Sequence, residues 1–302
     1  MRIGVVGLGR MGSQIVTRLL QGGHQAVVLN RSPEPVQRAV KQGAEAAGDL
    51  ADLVQKLDPV VIWFMLPADI LEDWLSQVWP LLPQDAIVVD GGNSYFEDTI
   101  KRAKKAEVVG AHYLDVGTSG GVLGLKNGFS MMVGGDQAAV DKIAPALDSL
   151  AAPQGWHHFG GSGAGHFVKM VHNAIEYGVM ESYAEGYRML KEGPVKGLDL
   201  AAAAEVWQHG SVIESLLNEL TRQALKENPE LTGIEGQVAE TGEARWTLEL
   251  AKKMQLDMPA IAAAFEVRLQ SQKRQVNFAT KLLAAIRHKF GGHPLNIDQN
   301  SK

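Results

Sequence analysis

Met1-Arg2-Ile3-Gly4-Val5-Val6-Gly7-Leu8-Gly9-Arg10-Met11-Gly12 opens the chain and decides its fold. Ile3 to Val6 is an unbroken apolar run, the pattern of a strand buried on both faces of a parallel sheet. Gly7 to Gly12 follows as G-x-G-x-x-G. Apolar residues then recur at helical spacing (Met11, Ile15, Val16, Leu19, Leu20) until Gly22-Gly23 stops them. Ala26 to Leu29 is a second apolar run, so strand, turn, helix and strand form a βαβ unit. In that setting the first glycine allows a tight turn, and the second lets backbone approach a pyrophosphate. The third lets helix and strand pack closely, with the anion at the helix N-terminus. A glycine turn without a ligand is the plainer reading of such a motif, but its place between strand and helix favours a dinucleotide.

The end of the second strand bears on which dinucleotide. An NAD site usually places Asp or Glu there to bind the ribose 2′-hydroxyl. Here stand Asn30-Arg31-Ser32. No carboxylate repels a 2′-phosphate, Arg31 can pair with it, and Asn30 and Ser32 can donate hydrogen bonds. The residues favour NADP, although a polar turn tolerating NAD as well fits the same three.

Val60 to Met65 and Ile87 to Val89 read as further buried strands, and His112 to Asp115 as another. After about Gly165 glycine thins out and helical patterns run from His166 to Leu190, Leu200 to Lys226, Ala244 to Met254 and Ala260 to Phe290. The tail from Gly291 reads as irregular. The expected fold is an α/β Rossmann-type dinucleotide-binding domain over residues 1–164, then an all-α domain over 165–302 for substrate and dimerisation.

On the first long helical stretch, Lys169, His172, Asn173 and Glu176 lie at i, i+3, i+4 and i+7, within a stripe about 100° wide. Phe167, Val171, Ala174, Ile175 and Gly178 occupy the opposite side, which is therefore expected to pack. A lysine and a glutamate two turns apart on one rigid element can flank a small substrate. A solvated face with a weak ion pair is the bland alternative, but Asn and His share the stripe and no other charge intervenes. Two polar turns, Gly117-Thr118-Ser119-Gly120-Gly121 and Asp90-Gly91-Gly92-Asn93-Ser94, follow expected strands. Both are placed at the carboxyl ends of the strands, where open α/β sheets bind ligands.

Leu114 to Gly121 together with Gly163-Ala164-Gly165-His166-Phe167-Val168-Lys169-Met170-Val171-His172-Asn173-Ala174-Ile175-Glu176-Tyr177-Gly178 resembles the decarboxylating 6-phosphogluconate dehydrogenase family. Asp90 to Ser94 and the first turn fit as well. Arg245-Trp246-Thr247, Phe265-Glu266-Val267-Arg268 and Arg287 to His293 extend the likeness to a short form without a duplicated helical repeat. The resemblance implies oxidation of 6-phosphogluconate to ribulose 5-phosphate and CO₂ with reduction of NADP, or of NAD, in the pentose phosphate pathway and without a metal. It implies that Lys169 acts as base and then acid, starting neutral with a pKa lowered by burial, and that Glu176 protonates carbon. Asn93, Ser119, Gly120, Gly121, His172 and Asn173 would contact the sugar acid. Tyr177, Arg268 and Arg287 would hold the phosphate with His293 nearby. Gly7, Leu8, Gly9, Arg10, Met11, Gly12, Asn30, Arg31, Ser32, Leu66, Pro67, Ala68 and Asn93 would line the cofactor. One departure stands out: the longer enzymes have a phosphate-binding Lys and Thr where this chain has Thr241 and Glu243, with Arg245 the nearby cation. The family is dimeric or larger, so a homodimer or tetramer is implied.

Composition narrows the alternatives. The 302 residues are 45% hydrophobic and 21% charged, enough for packed cores and against disorder. Lys and Arg total 29 against 34 Asp and Glu, a formal charge of −5, so no nucleic-acid partner is expected. No cysteine is present, which removes thiolate chemistry and fits a reducing cytoplasm. The longest apolar stretch, Pro59 to Ala68, is half a spanning helix, so no membrane partner is expected. A non-decarboxylating β-hydroxyacid dehydrogenase is the closest rival, and a cofactor sensor without catalysis a more distant one. A metal on His172 and Glu176 would meet the charge of Lys169 and lacks a third ligand at matching spacing.

Overall fold

The computed structural model describes residues 1–293 and Leu295. The chain forms two compact units, Met1–Met170 and Val171–Lys302. The first is an eight-stranded sheet: β1 (Arg2–Val6), β2 (Gln25–Leu29), β3 (Glu45–Ala46), β4 (Val61–Phe64), β5 (Ile87–Asp90), β6 (His112–Ser119), β7 (Phe129–Gly134) and β8 (Ala151–His158). Their order is β3-β2-β1-β4-β5-β6-β7-β8. The first six are parallel, β7 turns antiparallel to β6, and β8 runs parallel to β7. The order reverses between β1 and β4, and in open α/β sheets such a reversal marks the ligand site at the carboxyl ends of the strands.

Both faces of the sheet are covered, which explains the unbroken apolar runs. Val61 and Trp63 join one core with Ile15, Leu19, Ile143 and Leu147 from the helices Arg10–Gln21 and Gln137–Leu150. Ile62 and Phe64 point the other way, into a core with Leu53, Leu71, Leu75 and Ala106. Alternate residues of one strand thus feed two cores.

The second unit is helical. Its core gathers Met180, Ala184 and Tyr187 with Leu220, Leu225, Val238, Leu282, Leu283 and Ile286. Two of the long helices expected here are each broken in two. The stretch Leu200 to Lys226 divides into Leu200–Trp207 and Leu216–Glu227, separated by a turn with Gly210 at positive φ. Ser215 restarts the helix by accepting from Asn218 N at 3.0 Å. Ala260 to Phe290 divides into Pro259–Gln272 and Phe278–Gly291. Asn277 and Thr280 close a reciprocal capping box there, a signal that outweighs continuous apolar spacing. The tail read as irregular from Gly291 is described only to His293 and at Leu295, and Gly291 itself ends the last helix.

The helix Ala164–Glu192 runs from the first unit into the second. Its packed side is only partly the one expected, which holds at Ala174 but not at Phe167 or Ile175. His166, Met170, Ala174, Tyr177, Met180 and Ala184 are buried, and Lys169 on the polar stripe is only 6% exposed. Phe167 and Val179 are exposed, and Ile175 is 54% exposed. Apolar spacing misleads here because the polar stripe has buried partners to satisfy it.

Candidate active site

The first turn meets its three requirements. Gly7 adopts φ +94, and a β-carbon there would stand 2.5 Å from the Met65 carbonyl oxygen. At Gly12 a β-carbon would lie 1.9 Å from the Gly7 oxygen, so helix and turn touch. Around Gly9 nothing lies within 4 Å of the added carbon. Gly9 also begins the helix Arg10–Gln21 with no side-chain cap and no acid in its first turn, leaving N–H groups to meet an anion. These residues fit the pyrophosphate of a dinucleotide.

Neighbouring segments at the same sheet edge complete the first unit's site. Asn30 accepts from Leu8 N at 2.8 Å and donates to the Ser32 carbonyl at 3.0 Å. Its amide therefore staples the glycine turn to the end of β2. Arg31 and Ser32 are exposed beside it. Leu66-Pro67-Ala68 follows β4, with Pro67 heading the helix Ala68–Val78. Asn93 is exposed on a turn held from below by Asp90, whose carboxylate accepts from Gly92 N, Ser94 Oγ and Tyr113 Oη at 2.7–3.1 Å. Arg102 reaches both Asp90 and the Ala68 carbonyl, tying two turns together.

Strand β6 is longer than its sequence suggests. Gly117, Thr118 and Ser119 belong to the strand and pair with Met132, Met131 and Ser130 of β7, so the turn proper starts at Gly120. The antiparallel partner was not legible, and the extension corrects the five-residue turn. A β-carbon on Gly117 would stand 2.3 Å from Cβ of Lys169, and one on Gly165 would stand 2.4 Å from the Met132 oxygen. The helix start thus lies directly on β6 and β7. Asp115, fully buried, accepts from Gly163 N and His166 N at 2.8 Å each and anchors that start. Thr99 bonds His166 at 2.7 Å. Lys169 is delivered to its position by these contacts.

In the second unit Tyr177 lies beneath Arg268, whose Cζ stands 3.2 Å from the ring centroid. Arg268 is 2% exposed, and its Nη1 is buried without a hydrogen-bond partner among the described residues. Burial, with the neighbouring charge of Arg287, pulls its pKa down to about 10 against the opposing influence of Tyr177, Glu176 and Glu181. Arg287 is also lowered by burial. Among the described residues neither arginine forms an ion pair with a carboxylate. Two neighbouring buried guanidinium groups, one of them over a phenol, are suited to a dianion.

Around them, Thr241 N donates to Tyr177 Oη at 3.3 Å. Glu243 is buried and accepts from Asn173 Nδ2 at 2.8 Å and from Thr241 Oγ1 at 2.5 Å. Asn173 Oδ1 stands 3.0 Å from His172 Nδ1. Arg245 is exposed and paired with Glu240 at 2.9 Å, so it does not join this buried group. His293 follows the last helix, its ring edge-on to Phe290 and its carbonyl accepting from His288. Sequence reasoning did not assign Asp90 and Asp115 as anchors; their only signal was an acid closing or lying within an apolar strand. Among the described residues no group of three or more His, Asp or Glu side chains forms a metal site, and no helix is long and apolar enough to cross a membrane.

The two units define a class: a nicotinamide-dinucleotide fold followed by a helical unit. A Mycobacterium tuberculosis 3-hydroxyisobutyrate dehydrogenase shares this fold at 19% identity, with a TM-score of 0.74 over 93% of this chain and 97% of that one. The family is narrower. Residues 2–163 match the NAD binding domain of 6-phosphogluconate dehydrogenase, and residues 165–299 match the C-terminal domain of 6-phosphogluconate dehydrogenase. A decarboxylating 6-phosphogluconate dehydrogenase of Haloferax volcanii, named as NAD(+)-dependent, is 43% identical over 97% of this chain and 98% of its own. A Plasmodium falciparum 6-phosphogluconate dehydrogenase, solved apo, with NADP+ and with 6-phosphogluconate, is 26% identical with a TM-score of 0.82, covering 100% of this chain and 67% of that one. The chain belongs to the 6-phosphogluconate dehydrogenase family.

Proposed function

We propose that this chain oxidises 6-phosphogluconate at C3 and releases CO₂, giving ribulose 5-phosphate and a reduced nicotinamide cofactor. The observation that carries this over a non-decarboxylating β-hydroxyacid dehydrogenase is a pair of buried arginines, Arg268 over the Tyr177 ring and Arg287 near enough for its charge to act on Arg268. A substrate without a phosphate would leave those charges uncompensated.

Held by its pyrophosphate at Gly7 to Gly12, a nicotinamide dinucleotide would supply the hydride acceptor. Lys169 takes the proton of the C3 hydroxyl as hydride leaves C3. The resulting 3-keto acid loses CO₂, and Lys169 returns its proton to the C3 oxygen as the enediol forms. Glu176 then protonates C1, completing ribulose 5-phosphate. Asn93, Ser119, Gly120, Gly121, His172 and Asn173 hold the sugar acid, and Arg268, Arg287, Tyr177 and His293 its phosphate. Arg31 favours NADP, with NAD the alternative.

Residues 1–164 serve as the cofactor-binding domain and 165–302 as the substrate and dimerisation domain. The exposed apolar side of the helix Ala164–Glu192, with Phe167, Ile175 and Val179, supports a homo-oligomer. Cytoplasmic placement accords with the cysteine-free composition. The test measures cofactor reduction and CO₂ release together on 6-phosphogluconate, with NADP and with NAD. Reduction and CO₂ in equal amounts are expected. Reduction without CO₂, or turnover of unphosphorylated β-hydroxyacids alone, would overturn the reading.

A further inference from the structure

Glu243 is a buried carboxylate with no part in the steps above. It is 2% exposed and stands first in the helix Glu243–Lys253. An acid at that place ordinarily serves its own helix, through the dipole or as a cap. Here both oxygens are engaged elsewhere: Oε1 accepts from Asn173 Nδ2 at 2.8 Å and Oε2 from Thr241 Oγ1 at 2.5 Å. Thr241 in turn lies within hydrogen-bonding distance of Tyr177 Oη. The charge of Glu243 also acts on Arg287. The carboxylate is therefore directed at the long helix and the anion site rather than at its own first turn.

We propose that Glu243 is a positioning residue that fixes the Asn173 amide and, through it, places the proton of a neutral His172 on Nδ1. An ionised carboxylate can only accept, so Asn173 must turn its NH₂ group towards Glu243. That leaves Asn173 Oδ1 facing His172 Nδ1 at 3.0 Å. An amide oxygen also only accepts, so Nδ1 carries the hydrogen and Nε2 keeps its lone pair. A polyol substrate then meets His172 as an acceptor for a hydroxyl. With the amide reversed, its NH₂ would face Nδ1, move the imidazole proton to Nε2 and turn His172 into a donor. Glu243 thus decides the sense of the hydrogen bond that His172 offers, and the role rests on the substrate reading above.

The test is nitrogen-15 NMR of the histidine rings in the full-length protein, with Glu243→Gln and Glu243→Asp beside the wild type. The wild type is expected to show His172 protonated on Nδ1, the tautomer that free histidine disfavours. A glutamine amide can accept or donate towards Asn173, so Glu243→Gln is expected to move His172 population to the Nε2–H form. Its KM for 6-phosphogluconate should rise roughly tenfold, the worth of one hydrogen bond, with a smaller change in kcat. Aspartate still only accepts and should restore the Nδ1–H form. His172 protonated on Nε2 in the wild type overturns the proposal without any variant, as does an unchanged tautomer in Glu243→Gln. If the tautomer follows residue 243 in a protein inactive on 6-phosphogluconate, the relay is upheld and only the substrate reading falls.

Discussion

Gly117 and Lys169 are in direct contact across the junction of β6 and the long helix: a β-carbon on residue 117 would stand 2.3 Å from Cβ of Lys169 and 3.1 Å from the Gly165 oxygen. The proposed base is seated by a strand residue that has no side chain. Gly117→Ala is expected to push the helix start off β6, at a cost of about 1–3 kcal/mol for overpacking. A lower urea midpoint together with a loss of kcat checks this. An alanine variant of wild-type stability and activity would show that the contact does not seat Lys169.

The two proposed proton-transfer groups separate in time. Lys169→Met should nearly abolish cofactor reduction, because removing a positioned acid or base costs roughly 10²- to 10⁴-fold. Glu176→Gln should lower overall turnover by a similar amount yet retain more of the first hydride transfer in a single-turnover experiment. Equal loss of that first transfer in both variants would mean that Glu176 acts before decarboxylation.

Arg31 is exposed at the end of β2, next to an Asn30 already engaged with Leu8 and Ser32. It is thus the charged group of that turn that can meet a 2′-phosphate. Arg31→Ala is expected to weaken NADP by roughly 1.5–3 kcal/mol, the range of charge-assisted hydrogen bonds, and to leave NAD nearly unchanged. Titrating both cofactors against the variant decides it; parallel losses would remove the preference for NADP.

Glu181 gives the fold a pH dependence. Burial and the like charge of Glu185 push its carboxyl up to about 7, against the lowering influence of Arg268. The folded chain therefore holds this proton more tightly than the unfolded chain does. Its contribution to stability is full below about pH 4.5, falls as pH rises, and is lost above about pH 7. Glu181→Gln should match the wild type near pH 4.5 and exceed it at pH 8 by up to about 3 kcal/mol, as one pKa unit is about 1.4 kcal/mol. Urea unfolding at the two pH values measures the gap, and a constant difference would assign the effect to packing.

Local pattern alone determined much of this protein. Ile3 to Gly12 specified strand, turn and helix because continuous apolar burial and three glycines leave the backbone few other solutions, and β1, β2, β4 and β5 lie where their apolar runs are. The tetrad Lys169, His172, Asn173 and Glu176 was legible because helical spacing is set by the backbone. The face it occupies was not. Burial is a property of neighbours, and the partners of that stripe, Gly117 against Lys169 and Glu243 bonded to Asn173, lie about 50 and 70 residues away in sequence. The extension of β6 to Ser119 depended likewise on β7, and the helix breaks at 208–215 and 273–277 on caps that outweigh periodicity. Sequence spacing orders residues along one element. Only tertiary packing decided that a glycine seats the lysine, that a buried acid orients an amide, and that a buried arginine lies over a phenol.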